Sequence, residues 1–133
     1  MHTGTIAVAL GILASSSVLA ATPADFRFKS SASCGGRQGF HEQKISLSRR
    51  LNGALRARIV LTSDCFEEIS SPHVDYLEDH VRLRVDMTSD GTITTSCICT
   101  NTLSFTLLKH VPRGTHVSFG FGSYEPNLWT VAP

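Results

Sequence analysis

The sequence predicts an all-β fold, a single antiparallel sandwich of about seven or eight short strands stapled by disulfides. Three observations carry this. Apolar and polar residues alternate at period two along segment after segment, turn residues separate those segments, and the cysteines are four in number. Lys and Arg total 12 against 11 Asp and Glu, a net charge of +1. That balance exerts no global pull towards nucleic acid or an anionic membrane, so any charged function has to come from local patterning.

The first twenty residues, MHTGTIAVALGILASSSVLA, carry no Lys, Arg, Asp or Glu and have an apolar centre from Ile6 to Leu13. Serines follow, and small residues surround Ala20 and Ala21, as signal-peptidase cleavage requires. Residues 1–20 are therefore expected to be a secretory signal peptide and 21–133 a single domain, periplasmic or secreted. No other apolar run is long enough to span a bilayer.

Within the domain, DFRFKS places Phe26 and Phe28 opposite Asp25, Arg27 and Lys29 in a short first strand. A loose stretch, SSASCGGRQG, holds Cys34. Ile45 and Leu47 alternate before Asn52-Gly53, and Leu55, Ala57, Ile59 and Leu61 alternate after it, which predicts a hairpin with a type I′ turn. From Cys65 to His80 the alternation breaks around Ser71-Pro72, predicting a solvated connection or a short edge strand. Val81, Leu83, Val85 and Met87 then mark a strand, and Ser89-Asp90-Gly91 a turn into ITTSCIC. Leu103, Phe105 and Leu107 mark the next strand, Val117, Phe119 and Phe121 another, and Leu128 to Val131 a last short one.

Cys34, Cys65, Cys97 and Cys99 allow three pairings. Cys97 and Cys99 lie on one face of an extended strand, with Cα atoms about 6.5–7 Å apart, at the limit of disulfide geometry. Each is therefore expected to pair with one of Cys34 and Cys65, in an order left open. The alternative use of Cys97-Ile98-Cys99, with a histidine, is as thiolate ligands for Cu(I) or Zn(II) in a periplasmic metal-handling protein. No second Cys-x-Cys and no His-x-His supports it, so no metal or cofactor is assigned. A redox pair would space its cysteines by two residues at a helix start, a pattern the chain lacks.

The stretch LSFTLLKHVPRGTHVSFGFG, Leu103 to Gly122, resembles the late hairpin of prealbumin-like and carboxypeptidase-regulatory-like sandwich modules. It has an L-x-F-x-L strand, a Pro-x-Gly turn and a second alternating strand, with His116 where those modules commonly place an aromatic. The resemblance implies an immunoglobulin-like sandwich serving as a binding or accessory module, with no catalytic residue to carry over.

Catalytic residues are assigned nowhere: there is no Gly-x-Ser-x-Gly, no phosphate loop and no His-Glu-x-x-His. The cluster Asp75, Glu78, Asp79 and His80 offers hard oxygen ligands or an acid/base pair, but without calcium-loop spacing it reads as a solvated connection. The binding candidates are Arg56 and Arg58, which share one face of a strand, and Arg82 and Arg84, which share one face of another. Were the two strands in one sheet, these four with Arg50 would form a positive stripe for an acidic protein surface, a polyanionic glycan or anionic lipid headgroups. Tyr124 and Trp129 are candidate interface anchors. Together these features lead to the expectation of a small exported binding module without catalysis, one form of it an inhibitor of a secreted or host enzyme.

Overall fold

The computed structural model describes residues 25–34, 43–65, 67–89, 97–123 and 125–133. The expected signal peptide, the Asp90-Gly91 turn and Tyr124 lie outside them. Strands make up 71% of the described residues, with no helix, in two sheets of four strands each.

The strands are β1 Phe26–Cys34, β2 Lys44–Arg49, β3 Leu55–Asp64, β4 Glu67–Tyr76, β5 His80–Ser89, β6 Ile98–Leu107, β7 His116–Phe121 and β8 Leu128–Val131. Sheet I has the order β1-β6-β3-β2 and sheet II the order β4-β5-β7-β8. All pairs are antiparallel except β5 and β7, which run parallel. The exception follows from the path of the chain, which leaves sheet II after β5, builds β6 in sheet I and returns for β7. A parallel pair needs such a long crossover. The Leu103–Gly122 stretch is for that reason an arch from one sheet to the other and not a hairpin within one.

Period-two patterning puts Leu55, Ala57, Ile59 and Leu61 of β3 and Leu103, Phe105 and Leu107 of β6 inside. They meet Val81, Leu83 and Val85 of β5 and Val117 and Phe119 of β7 from the opposite sheet. Phe105 is at the centre of an aromatic group, 4.9 Å from the ring of Phe28 and 6.2 Å from that of Phe26. One end of the sandwich is tied by Arg49, which donates to the carbonyls of Val111 at 2.6 Å and Pro133 at 2.7 Å.

At the β2–β3 turn only Gly53 has a positive φ, +85°, and its N–H donates to the carbonyl of Arg50 at 2.9 Å. The tight turn is thus centred on Leu51-Asn52 with Gly53 following in the left-handed region, the pattern of a longer hairpin loop and not the expected type I′ turn. β1 continues to Cys34, because cross-strand bonds to β6 order the Ser-rich segment that composition alone marks as loose. The Cys65–His80 region holds a full ten-residue edge strand, β4, with a register shift between Ser70 and His73. Ser71, at φ 52°, sits at that bulge, which explains the broken alternation.

The disulfides are Cys34–Cys99 and Cys65–Cys97. Both lie within sheet I. Cys34 is the direct cross-strand partner of Cys99, and Cys65 continues the β3–β6 ladder opposite Cys97, to whose carbonyl its N–H donates at 3.3 Å. The Cys-x-Cys at the start of β6 therefore fastens that strand to a neighbour on each side. With sequence separations of 65 and 32, each bond restricts the unfolded chain by about 4 kcal/mol in the chain-entropy picture.

Candidate ligand-binding face

The four predicted arginines do not form one stripe. Arg56 and Arg58 are on β3, in sheet I, and Arg82 and Arg84 are on β5, in sheet II, so the two pairs face away from each other across the sandwich. Their surroundings differ as well. Asp75, buried on β4, sits opposite Arg82 in register and forms an ion pair with Arg84, Nε to Oδ2 2.8 Å. The sheet II arginines are thus placed against a carboxylate.

On sheet I the outward positions follow from register. Arg27 of β1, Thr106 of β6, Arg56 of β3 and Ser48 of β2 form one row across the sheet; Lys29, Ser104, Arg58 and Ser46 form the next; Ser31, Thr102, Val60 and Lys44 form a third. Arg50 stands beside the first row, lining a hollow with Arg27 and Arg56. Six of the chain's 12 Lys and Arg residues therefore share this face, and none of the six forms an ion pair with a carboxylate among the described residues. Arg56 donates to Ser104 Oγ at 3.3 Å. Among the described residues the outward carboxylate within these strands is Asp64, six residues and about 20 Å along β3 from Arg58; Asp25, just ahead of β1, pairs with Lys109 at 3.8 Å.

Two hollows mark the face, one of about 670 Å³ that includes Ser46, Arg58 and Thr102, the other of about 230 Å³ that includes Arg27, Arg50 and Thr106. Both are lined by Lys29, Arg56 and Ser104, so they adjoin at these residues. Sequence patterning had located Arg56 and Arg58 but not Arg27, Lys29 or Lys44. The signal was present in DFRFKS, whose basic residues alternate with the phenylalanines; the pairing of β1 with β6, which brings them beside β3, is not a local property.

Sheet II presents a different surface. Trp129 is 56% exposed and stacks on His80, ring centroids 5.0 Å apart. It faces outward instead of closing the core. His80 Nε2 lies 2.6 Å from Ser118 Oγ, a distance compatible with a base and its nucleophile. Ser118 is fully buried, however, so no substrate carbonyl can reach its hydroxyl. Burial holds the His80 imidazole below its ordinary value, opposed by Asp79 and reinforced by Arg82 and His116.

The sulfurs of Cys34, Cys65 and Cys99 lie within 4.8 Å of one another, but all four cysteines are consumed in disulfides and offer no thiolate in this state. Among the described residues no helix is long and apolar enough to cross a membrane. Comparison with protein-family models, curated proteins and solved structures returns no match.

Proposed function

We propose that the protein is a small exported binding module without catalytic activity, holding an acidic partner on the outer face of sheet I. The observation that carries this reading is the set of six cations, Arg27, Lys29, Lys44, Arg50, Arg56 and Arg58, gathered on one face with no ion pair to any of them among the described residues. Ordinary protein surfaces intersperse the two signs, and a single-sign field on one side attracts and steers an oppositely charged partner. The export of the chain is supported by its two disulfides, which persist in oxidising compartments. The same pairing favours the binding module over metal handling by Cys97 and Cys99.

The test is retention of the disulfide-intact protein on immobilised acidic polymers at physiological salt, compared with the Arg56→Ser/Arg58→Ser variant and with Arg113→Ser on an exposed turn. Retention that the double variant loses and Arg113→Ser keeps supports the reading. Equal elution of all three proteins at low salt overturns it.

A further inference from the structure

We propose that the ligand of this face is a single chain of acidic polysaccharide, carrying sulfate or carboxylate groups and laid along β6. The inference rests on the polyanion reading above and names the chemistry of its partner. Register supplies the geometry. Arg27 and Lys29 form a column on β1, Arg56 and Arg58 a second column on β3, and β6 runs between them. Two strand spacings separate the columns, about 10 Å, and within a column successive charges are about 7 Å apart. The floor of the track is a line of short hydroxyls, Thr102, Ser104 and Thr106.

This arrangement selects among polyanions. Cations spread over two columns fit a polymer better than one small anion, which would need its donors to converge. Guanidinium forks match sulfate and carboxylate oxygens, and Ser and Thr hydroxyls both donate to and accept from sugar hydroxyls. Single-stranded nucleic acid is held by stacking on aromatic side chains, and none of the described outward residues of sheet I is aromatic. A duplex is read by a helix or ribbon inserted into its groove, and a sheet face projects neither. Protein partners need clustered aromatic or apolar anchors, whereas the outward apolar residues here are scattered: Val60 in the third row, Ile98 near the disulfides and the exposed Leu51 on the β2–β3 turn beside Arg50. Adsorption into a membrane interface needs an apolar flank that these rows lack.

The test uses the exported, disulfide-intact protein and measures affinity by calorimetry for dextran sulfate, for unsulfated dextran of equal length, for polygalacturonate, for poly-glutamate, for phosphatidylglycerol vesicles and for oligo-thymidylate. Dextran sulfate or polygalacturonate is expected to bind about tenfold or more tighter than the last three, with unsulfated dextran not bound. The Arg56→Ser/Arg58→Ser and Arg27→Ser/Lys29→Ser variants are each expected to lose about tenfold, and Arg113→Ser less than about twofold. The wild-type ranking stands whether or not a variant folds. Preference for poly-glutamate, vesicles or oligo-thymidylate overturns the polysaccharide assignment and leaves the polyanion reading intact. Binding to no polyanion overturns both, and polysaccharide binding that survives both double variants overturns its placement on this track.

Discussion

The Sγ atoms of Cys65 and Cys99 lie 3.2 Å apart although they belong to different disulfides. Thiol–disulfide exchange proceeds by thiolate attack on a neighbouring sulfur. Cys34 is the exposed member of its bond, so an external thiol that attacks it forms a mixed disulfide there and releases the Cys99 thiolate beside Cys65. Attack by Cys99 then forms Cys65–Cys99 and releases Cys97. The expected outcome of limited, non-denaturing reduction is that Cys65–Cys99 dominates the rearranged species. Alkylation and peptide mapping would show this, with Cys34 either still capped or joined to the released Cys97, and a majority of Cys34–Cys65 with Cys97–Cys99 would contradict it.

Between the apolar core and the disulfides lies one polar contact, Asn101 Nδ2 donating to Ser63 Oγ at 2.6 Å, with both residues buried. Ser63→Ala leaves the amide without this acceptor and is expected to destabilise the protein by about 1–3 kcal/mol. Adding Asn101→Leu should recover most of that loss, since replacing both partners removes the unpaired group. Denaturant unfolding with the disulfides intact measures both, and a double variant less stable than Ser63→Ala alone would refute the pairing's importance.

Tyr76 donates its phenolic proton to the carbonyl of Asp25 at 2.9 Å, tying the β4 edge to the start of β1. Burial, with the charge of Asp25 adding to it against a backbone hydrogen bond at Lys109, raises its pKa from 10.0 to about 12. The folded state therefore prefers the protonated phenol. Its contribution to stability is complete below pH 10 and is lost as pH rises through about 12. In a Tyr124→Phe background, which leaves Tyr76 as the only tyrosine, phenolate absorbance should rise near pH 12 in the native protein and near 10 in denaturant. Tyr76→Phe should abolish this stability decline.

The chain has one tryptophan, and it stacks on His80. Because the His80 pKa is lowered, the folded state prefers the neutral ring; the associated stability is complete above the ordinary value of 6.5 and is lost as pH falls towards the lowered one. Protonated imidazole quenches indole emission, so Trp129 fluorescence should drop on acidification with a midpoint below 6.5. His80→Gln should flatten the curve. A midpoint at or above 6.5 would show that the ring is not protected from charge.

Inward positions were legible wherever one face of a strand is buried, because burial imposes period two: Leu55 to Leu61, Val81 to Val85 and Leu103 to Leu107 were each read correctly from residue type. Partner choice was not legible, because it depends on contacts distant in sequence. Arg58 and Arg84 look alike in isolation, each at an outward position of an amphipathic strand. Only topology gives Arg84 a carboxylate, on Asp75, and gives Arg58 a row with Lys29 and Ser104. The same holds for Ser30 to Cys34, whose composition predicts a loop and whose pairing with β6 makes a strand. The Cys-x-Cys spacing anticipated that Cys97 and Cys99 reach different partners, since side chains two apart on a strand share a face; which partner each takes depends on β6 lying between β1 and β3.

Both covalent bridges run between neighbouring strands of sheet I, and none joins the two sheets. A load applied through β1 and β8 meets no cross-link between the plates that carry them. Apart from the chain's own crossings, resistance to their sliding apart comes from interdigitated side chains and from bonds such as those of Arg49 to Val111 and Pro133. The fold thus amounts mechanically to one reinforced slab clamped to a softer one, and the two basic hollows lie on the outer side of the reinforced slab.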